Sequence, residues 1–410
     1  MNLQSHLFRF ATRNVVRNAR RSAVTIVSIA SGFIALGIFG GFTKNVYRGL
    51  ELEAVYAEML GHLTISKSGL RQEGHLHPDK YMLSVADISK ISDIVRSASP
   101  TAKIAQRLQL NGLMSNGVAS TIFIAEGVSP RDMRFLRGPL INAPGALDPN
   151  EPSGITVANG LASILGLKEG DDASLLVSTL RGQANVIDGK IIDTFDTGAT
   201  GTNDKLIFMP LAHAQSLMDA EGRADRLTVV LSDIADSPAV MEKIQGVLKD
   251  DGYDVESWSD LSSLYKPVKS MYDMIFTFLL TIVLIISAMG LGNVISMNVV
   301  ERTREIGALR ALGMRQGSVA RLIIAEALVL VVIGCVVGFA TTLGLRWAIN
   351  ACHISWTPPT SSTQVPLTIG LSWVYLAALP VLLCLLSILA AFVPARRATR
   401  SPIVEALGHV

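Results

Sequence analysis

The sequence predicts a membrane α-helical protein with four transmembrane helices and a large α+β extracytoplasmic domain inserted between spans one and two. Three observations carry that expectation. Apolar runs lie at residues 22–43, 274–300, 327–345 and 371–393, each close to the ~20 residues that cross a hydrocarbon core. Residues 44–270, between the first two runs, have the mixed composition of a soluble α/β protein. Arginines cluster before the first run, between the second and third and after the fourth, whereas the loop 346–370 holds only Arg346. Because Lys and Arg are retained on the cytoplasmic side, both termini and the segment 301–326 are expected in the cytoplasm, with residues 44–270 across the membrane.

Composition narrows the classes of function. A 410-residue chain with 17% charged residues and a mean hydropathy of +0.40 is too apolar for an ordinary soluble protein and too charged to lie wholly in lipid. A net charge of +2 argues against a general nucleic-acid binder. Cys335, Cys352 and Cys384 lie in or beside apolar runs without ligand spacing, and so are expected as small hydrophobes rather than zinc or disulfide partners. No G-x-x-x-x-G-K-[ST] loop is present to cradle nucleotide phosphates. His75 and His77 are a close pair beside Pro78, expected solvated; Asp193, Asp196 and Asp204 do not have calcium-loop spacing. No serine, histidine and acid fall in a phrase that marks a nucleophile, so an enzyme is not expected, and no metal or cofactor is assigned to this chain.

The elements follow in order. Residues 1–21 place Phe8, Ala11, Val15 and Ala19 on one helical side and Arg9, Arg13, Arg17 and Arg20 on the other, as in a helix lying on the cytoplasmic membrane face. The run 22–43 is long enough to span and lacks a convincing small-residue cleavage site, so it is taken as the first transmembrane helix rather than a cleaved signal. Gly37 with Gly41, and Gly334 with Gly338 in the third span, are small-xxx-small pairs suited to close helix packing. Lys44 to Met59 continues helically, Gly61 breaks it, and HLTIS reads as a strand. Asn116-Gly117 between two alternating runs signals a two-stranded ribbon. Residues 138–154, rich in Pro, Gly and Asn, connect to a second strand-rich lobe that starts at Ile155. Pro380 interrupts the backbone donors of the fourth span, and residues 394–410 form a basic tail.

The phrase ERTREIGALRALGMRQGSVARLIIAE, residues 301–326, mixes acids and arginines while Ile306, Leu309 and Leu312 recur at helical spacing. Gly313, where a left-handed cap is cheapest, should end a short helix, and another should begin near Gln316 or Ser318. A positive-inside anchor would not need the interleaved acids; a docking surface for a soluble partner would. With GHLTIS, LGLKEGD, MPLAHAQ, ESWSDL and the closing PARRATRSPIVEAL, this phrase resembles the permease family that includes MacB, FtsX and the lipoprotein-releasing permeases LolC and LolE. These are type VII, mechanotransmission ABC transporter permeases, and the lipoprotein-releasing branch is closest in layout.

The resemblance implies that the chain converts motion of a separate ABC ATPase dimer, which holds ATP and Mg, into extraction or export of lipoprotein or another amphiphile from the bacterial inner membrane. Its alternatives are adaptor-linked efflux of a small molecule and FtsX-like signalling to cell-wall hydrolases. Implied partners are a second permease copy or homologue, a periplasmic carrier or membrane-fusion adaptor, and membrane lipids. Glu301, Arg304, Glu305 and Arg310 are the candidate ATPase-coupling residues. Phe39 and Phe42 on the first span, with Met271, Met274, Ile275 and Phe278 on the second, are the candidate substrate-cavity residues, because Met and Phe adapt to acyl chains of varying shape.

Overall fold

The structure, a computed structural model, describes residues 19–74, 76–140, 143–198, 200–357 and 364–400. The surface helix expected over residues 1–21 falls almost entirely outside the described residues, as do His75 and residues 401–410 of the tail. In chain order the main elements are α1 (Ala19–Leu52), β1 (Leu63–Lys67), α2 (Val85–Ala98), β2 (Lys103–Ser115), β3 (Ser120–Val128), β4 (Gly154–Ala158), β5 (Asp172–Ser178), β6 (Ala184–Phe195), β7 (Leu206–Pro210), β8 (Arg226–Val230), α3 (Ser237–Asp250), β9 (Tyr253–Ser257), α4 (Tyr265–Glu301), α5 (Thr303–Ala311), α6 (Gln316–Ala351) and α7 (Trp373–Arg400). They fall into two units: residues 1–47, 269–354 and 366–410, and residues 48–268 with 355–365.

The first unit is helical. Among the described residues four helices are long and apolar enough to cross a membrane, at Ser22–Ala57, Tyr265–Glu301, Gln316–Ala351 and Trp373–Arg397. At 1.5 Å per residue the three longer ones reach roughly 54 Å, well past a ~30 Å hydrocarbon core. Their polar flanks therefore stay helical outside the apolar runs.

Ile29, Phe33 and Leu36 of α1, Leu291 and Ile295 of α4, Ile323 and Leu330 of α6, and Leu379 and Leu383 of α7 form the core. Three of the four small residues meet the other pair's helix, whereas Gly41 lies against Ile369 and Gly370 before α7. A Cβ on Gly334 would sit 2.8 Å from Ile29 Cγ2, one on Gly338 2.8 Å from Phe33 Cβ, and one on Gly37 3.0 Å from Thr342 Cγ2. With little hydrophobic drive between helices in lipid, such close backbone approach supplies the packing. Half of the α6 apolar window is buried, but only 11% of that of α4.

The second unit is built on one nine-stranded sheet. Strands β9, β1, β8 and β2 lie in that order, all antiparallel, and α2 and α3 cover one face through Ile91, Val95, Ile244 and Leu248. This is the split β-α-β arrangement, with β1-α2-β2 and β8-α3-β9 as its halves. Ser84 and Asp87 form a reciprocal capping box that starts α2.

Everything between β2 and β8 is an insertion that closes on itself. β2 pairs β3, β3 pairs β7, β7 pairs β4, β4 pairs β6, β6 pairs β5, and β5 returns to β2. The barrel interior holds Leu108, Leu110, Phe123, Ile155, Val157, Leu175, Ile191, Ile207 and Met209. Closure removes the sheet edges that would otherwise invite association. The ribbon at Asn116-Gly117 does form, with Asn116 Oδ1 accepting from Val118 and Ala119 N–H at 2.8 and 2.7 Å. It is one wall of the barrel rather than a separate two-stranded feature. The 13-residue β2 serves both parts, pairing β8 over Lys103–Arg107 and β5 over Gly112–Ser115.

Candidate functional site

At one end of the helical unit the chain turns from α4 through Arg302 into α5 and back into α6. Thr303 Oγ1 donates to the carbonyls of Val299 and Val300 at 3.0 and 2.9 Å, satisfying acceptors at the end of α4. The far end of α5 is closed by Gly313 at φ +94°. Its N–H donates to Arg310 O at 3.0 Å and that of Met314 to Leu309 O at 3.1 Å, which is the Schellman pattern. Ile306 and Gly307 are buried, Ile306 within the helical core.

The opposite face is open. Glu301, Arg304, Glu305, Ala308, Ala311 and Leu312 are exposed, Leu312 by 86%. Two small residues between charges, with a leucine at the tip, make a narrow ridge suited to a complementary groove.

Arg302 fixes the orientation of that ridge. Its Nε donates to Glu305 at 2.8 Å and its Nη1 to Glu326 of α6 at 2.9 Å. The Arg302 and Glu326 side chains are 16% and 11% exposed. Burial alone would lower the Arg302 pKa, but the hydrogen bonds and charges of both carboxylates more than offset it and raise the value above its ordinary one. Sequence reasoning noted Arg302 and Glu326 only as charges in the run and did not assign them to the site. The signal was an acid at the edge of a predicted span, which requires a partner when buried.

Of the candidate coupling residues, Glu301, Arg304 and Glu305 lie on the open face and Arg310 is half-buried. Glu305 is already engaged by Arg302.

At the other end of the helical unit the six cavity candidates are not brought together. Phe39 stacks on Phe276 with ring centroids 6.2 Å apart, and Phe42 meets Tyr272 edge-on at 5.9 Å. Tyr47 donates to Asp273 Oδ1 at 2.7 Å, and Lys269 to Oδ2 at 2.6 Å. Phe39 and Phe42 thus form the seam between α1 and α4. Met271, Met274, Ile275 and Phe278 lie on the other side of α4, 45%, 67%, 36% and 65% exposed. Positions 272 and 276 share one helical face and 271, 274, 275 and 278 another, which separates the two sets. An apolar groove of about 640 Å³ between α4 and α7, lined by Phe276, Leu280, Tyr375, Ala378, Val381 and Leu385, was not anticipated from sequence. Among the described residues no group of three or more His, Cys, Asp or Glu is placed to hold a metal.

Residues 277–403 match the FtsX-like permease C-terminal family. The chain is similar to the macrolide export ATP-binding/permease protein MacB of Bdellovibrio bacteriovorus, 24% identical over 226 residues that cover 52% of this chain and 33% of that one. It is also similar to the ABC transporter permease YtrF of Bacillus subtilis, 27% identical over 178 residues that cover 42% of this chain and 41% of that one. These matches span between a third and two-fifths of the relatives' lengths. The periplasmic region of MacB from Actinobacillus actinomycetemcomitans aligns with 49% of this chain and 90% of that structure at a TM-score of 0.33 and 11% identity.

Proposed function

We propose that this chain, whose residues 277–403 match the FtsX-like permease C-terminal family, is the permease subunit of an ABC transporter. It converts ATP-driven motion of a separate ATPase dimer into extraction or export of a lipoprotein or another amphiphile from the bacterial inner membrane. ATP and Mg remain on the ATPase.

The observation that carries this reading is α5, a short exposed ridge tied by Arg302 to Glu326 within α6 and joined to the end of α4. A push on the ridge is delivered to two membrane-length helices at once, without chemistry in this chain. Arginine placement favours the ridge and both termini in the cytoplasm and residues 44–270 in the periplasm. The exposed face of α4, bearing Met271, Met274, Ile275 and Phe278, is the surface offered to acyl chains and to a second permease copy or homologue. A periplasmic carrier or membrane-fusion adaptor then accepts the cargo. Adaptor-linked efflux of a small molecule is the second reading, favoured by relatives described as macrolide export proteins; it differs in cargo and acceptor, not in coupling.

The test is stimulated ATP hydrolysis by the copurified complex. Arg304→Glu and Leu312→Asp alter exposed positions on the ridge, where substitution costs the fold within about 0.5 kcal/mol. A desolvated interfacial contact is worth ~2–5 kcal/mol, so hydrolysis should fall at least about tenfold at subsaturating ATPase while the permease's unfolding temperature holds. Parental stimulation in both variants would reduce the segment to a membrane anchor.

A further inference from the structure

At the end of the helical unit where α7 begins, α4 and α7 touch and then part. The rings of Phe276 and Tyr375 meet with centroids 4.8 Å apart. Tyr375 is held from the other side by α1, since a Cβ on Gly40 would sit 2.8 Å from its Cδ2. Beyond this contact Leu280 of α4 and Ala378, Val381 and Leu385 of α7 line the apolar groove of about 640 Å³. Val374, Ala378, Val381 and Leu385 recur at helical spacing and form one exposed stripe of α7. The small Ala378 gives that stripe its depth.

Length selects the occupant. From Val374 to Leu385 the stripe rises roughly 17 Å at 1.5 Å per residue, close to the ~15 Å depth of one leaflet, half of a ~30 Å hydrocarbon core. Trp373, beside Val374, and Trp347, in the last turns of α6, are both exposed, as tryptophans at the headgroup level are. The groove therefore starts at a membrane surface and ends near the midplane. A partner's transmembrane helix, about 10–12 Å across, would need a seam through both leaflets. One acyl chain fits a single leaflet and a groove of this volume.

The mouth carries a cation. Lys44 of α1 is exposed, and its Nζ donates at 2.9 Å to the carbonyl of Leu371, three residues before Val374. Among the described residues no carboxylate forms an ion pair with it. The acid beside the groove on α4, Asp273, has its oxygens taken by Tyr47 and Lys269. A backbone carbonyl does not neutralise an ammonium, so the mouth favours an anionic headgroup.

We propose that this groove holds an acyl chain of one membrane phospholipid whose phosphate pairs with Lys44, with anionic headgroups preferred. This lipid is separate from any cargo on Met271, Met274, Ile275 and Phe278, which lie on the other side of α4. The assignment needs the helical unit to sit in a bilayer but does not need ATPase coupling, so it and the permease reading fail separately.

The experiment is native mass spectrometry of the full chain released from nanodiscs of equimolar dioleoyl phosphatidylglycerol and dioleoyl phosphatidylethanolamine. One phospholipid per chain should survive collision energies that strip annular lipid. Phosphatidylglycerol should be favoured about fivefold, the worth of one lysine at a headgroup layer, and Lys44→Gln should abolish that preference. Ala378→Trp fills the groove from an exposed position and should lower the retained fraction at least about tenfold, as displacing about two methylenes already would. Met289→Trp, at an exposed site of α4 off the groove, should match the parent. In the unaltered chain dihexanoyl phosphatidylglycerol, with the same headgroup and tails too short to fill the groove, should not be retained; this comparison does not depend on any variant folding. No retained lipid, retention of both tail lengths alike, retention in Ala378→Trp equal to that in Met289→Trp, or a headgroup preference unchanged in Lys44→Gln would each overturn the assignment. A dimer lost in Ala378→Trp at unchanged lipid retention would overturn it too and give the groove to a second copy of the chain.

Discussion

The Arg302–Glu326 pair shows how one contact can set the geometry of a coupling surface. It joins residues 24 apart in sequence at 2.9 Å, and no periodicity in the run announces it. What the sequence offers is an acid where an apolar run begins; which of the nearby arginines meets it depends on where α4 ends and α5 turns. The same limit explains the cavity candidates. Phe39, Phe42, Met274 and Phe278 are all bulky and apolar, and only the helical phase against α1 decides which are in a seam and which face outward. Breaking a buried pair leaves one charge uncompensated, at a cost of about 3 kcal/mol or more, whereas replacing both partners by apolar groups is often neutral. Arg302→Met alone should therefore lower the thermal unfolding midpoint in detergent markedly, and Arg302→Met with Glu326→Leu should recover most of the loss. A double variant no more stable than the single would mean that the pair is not the tie between α5 and α6.

At the scale of elements, the long apolar runs were legible because a bilayer demands length and apolarity together, and the β-strand runs because turn residues bound them. Gly313 was legible too, since a left-handed cap has a residue preference. Barrel closure was not. The β3–β7 and β4–β6 pairings are parallel and join strands separated by other elements, and strand alternation fixes a face without naming a neighbour. Helix contacts were legible only as a capacity for close approach, until α1 and α6 proved to be partners. That contact is open to a direct test. Gly338→Leu forces a side chain into space where even a Cβ would lie 2.8 Å from Phe33 Cβ, while Gly344→Leu on the same helix meets nothing within 4 Å. Overpacking costs typically about 1–3 kcal/mol. The first variant should unfold at lower SDS fraction in mixed micelles and the second should match the parent; equal behaviour of the two would remove the α1–α6 contact as a stability determinant.

For the whole molecule, charge placement makes a sharp statement about sidedness. The retention of arginine on the cytoplasmic side acts on short loops and span ends; the α4–α6 turn holds Arg302, Arg304, Arg310 and Arg315, whereas the α6–α7 side holds Arg346, in the last turns of α6, whose Nε donates to Ile369 O at 2.9 Å. Residues 48–268 enter and leave through α1 and α4, so if α4 and α6 each cross the membrane once, the α6–α7 loop is expected on the same side as that domain. Cys352 in that loop is exposed, Cys335 is buried and Cys384 half-buried, which gives the unaltered chain its own reporter. A membrane-impermeant maleimide should label Cys352 in intact cells. In a Cys352→Ser background, Ser68→Cys, at an exposed site after β1, should label equally well, and Gln316→Cys, exposed at the start of α6, should label only after the cells are opened. Labelling of position 316 in intact cells with 68 and 352 protected would invert the topology and, with it, the assignment of α5 to a cytoplasmic ATPase.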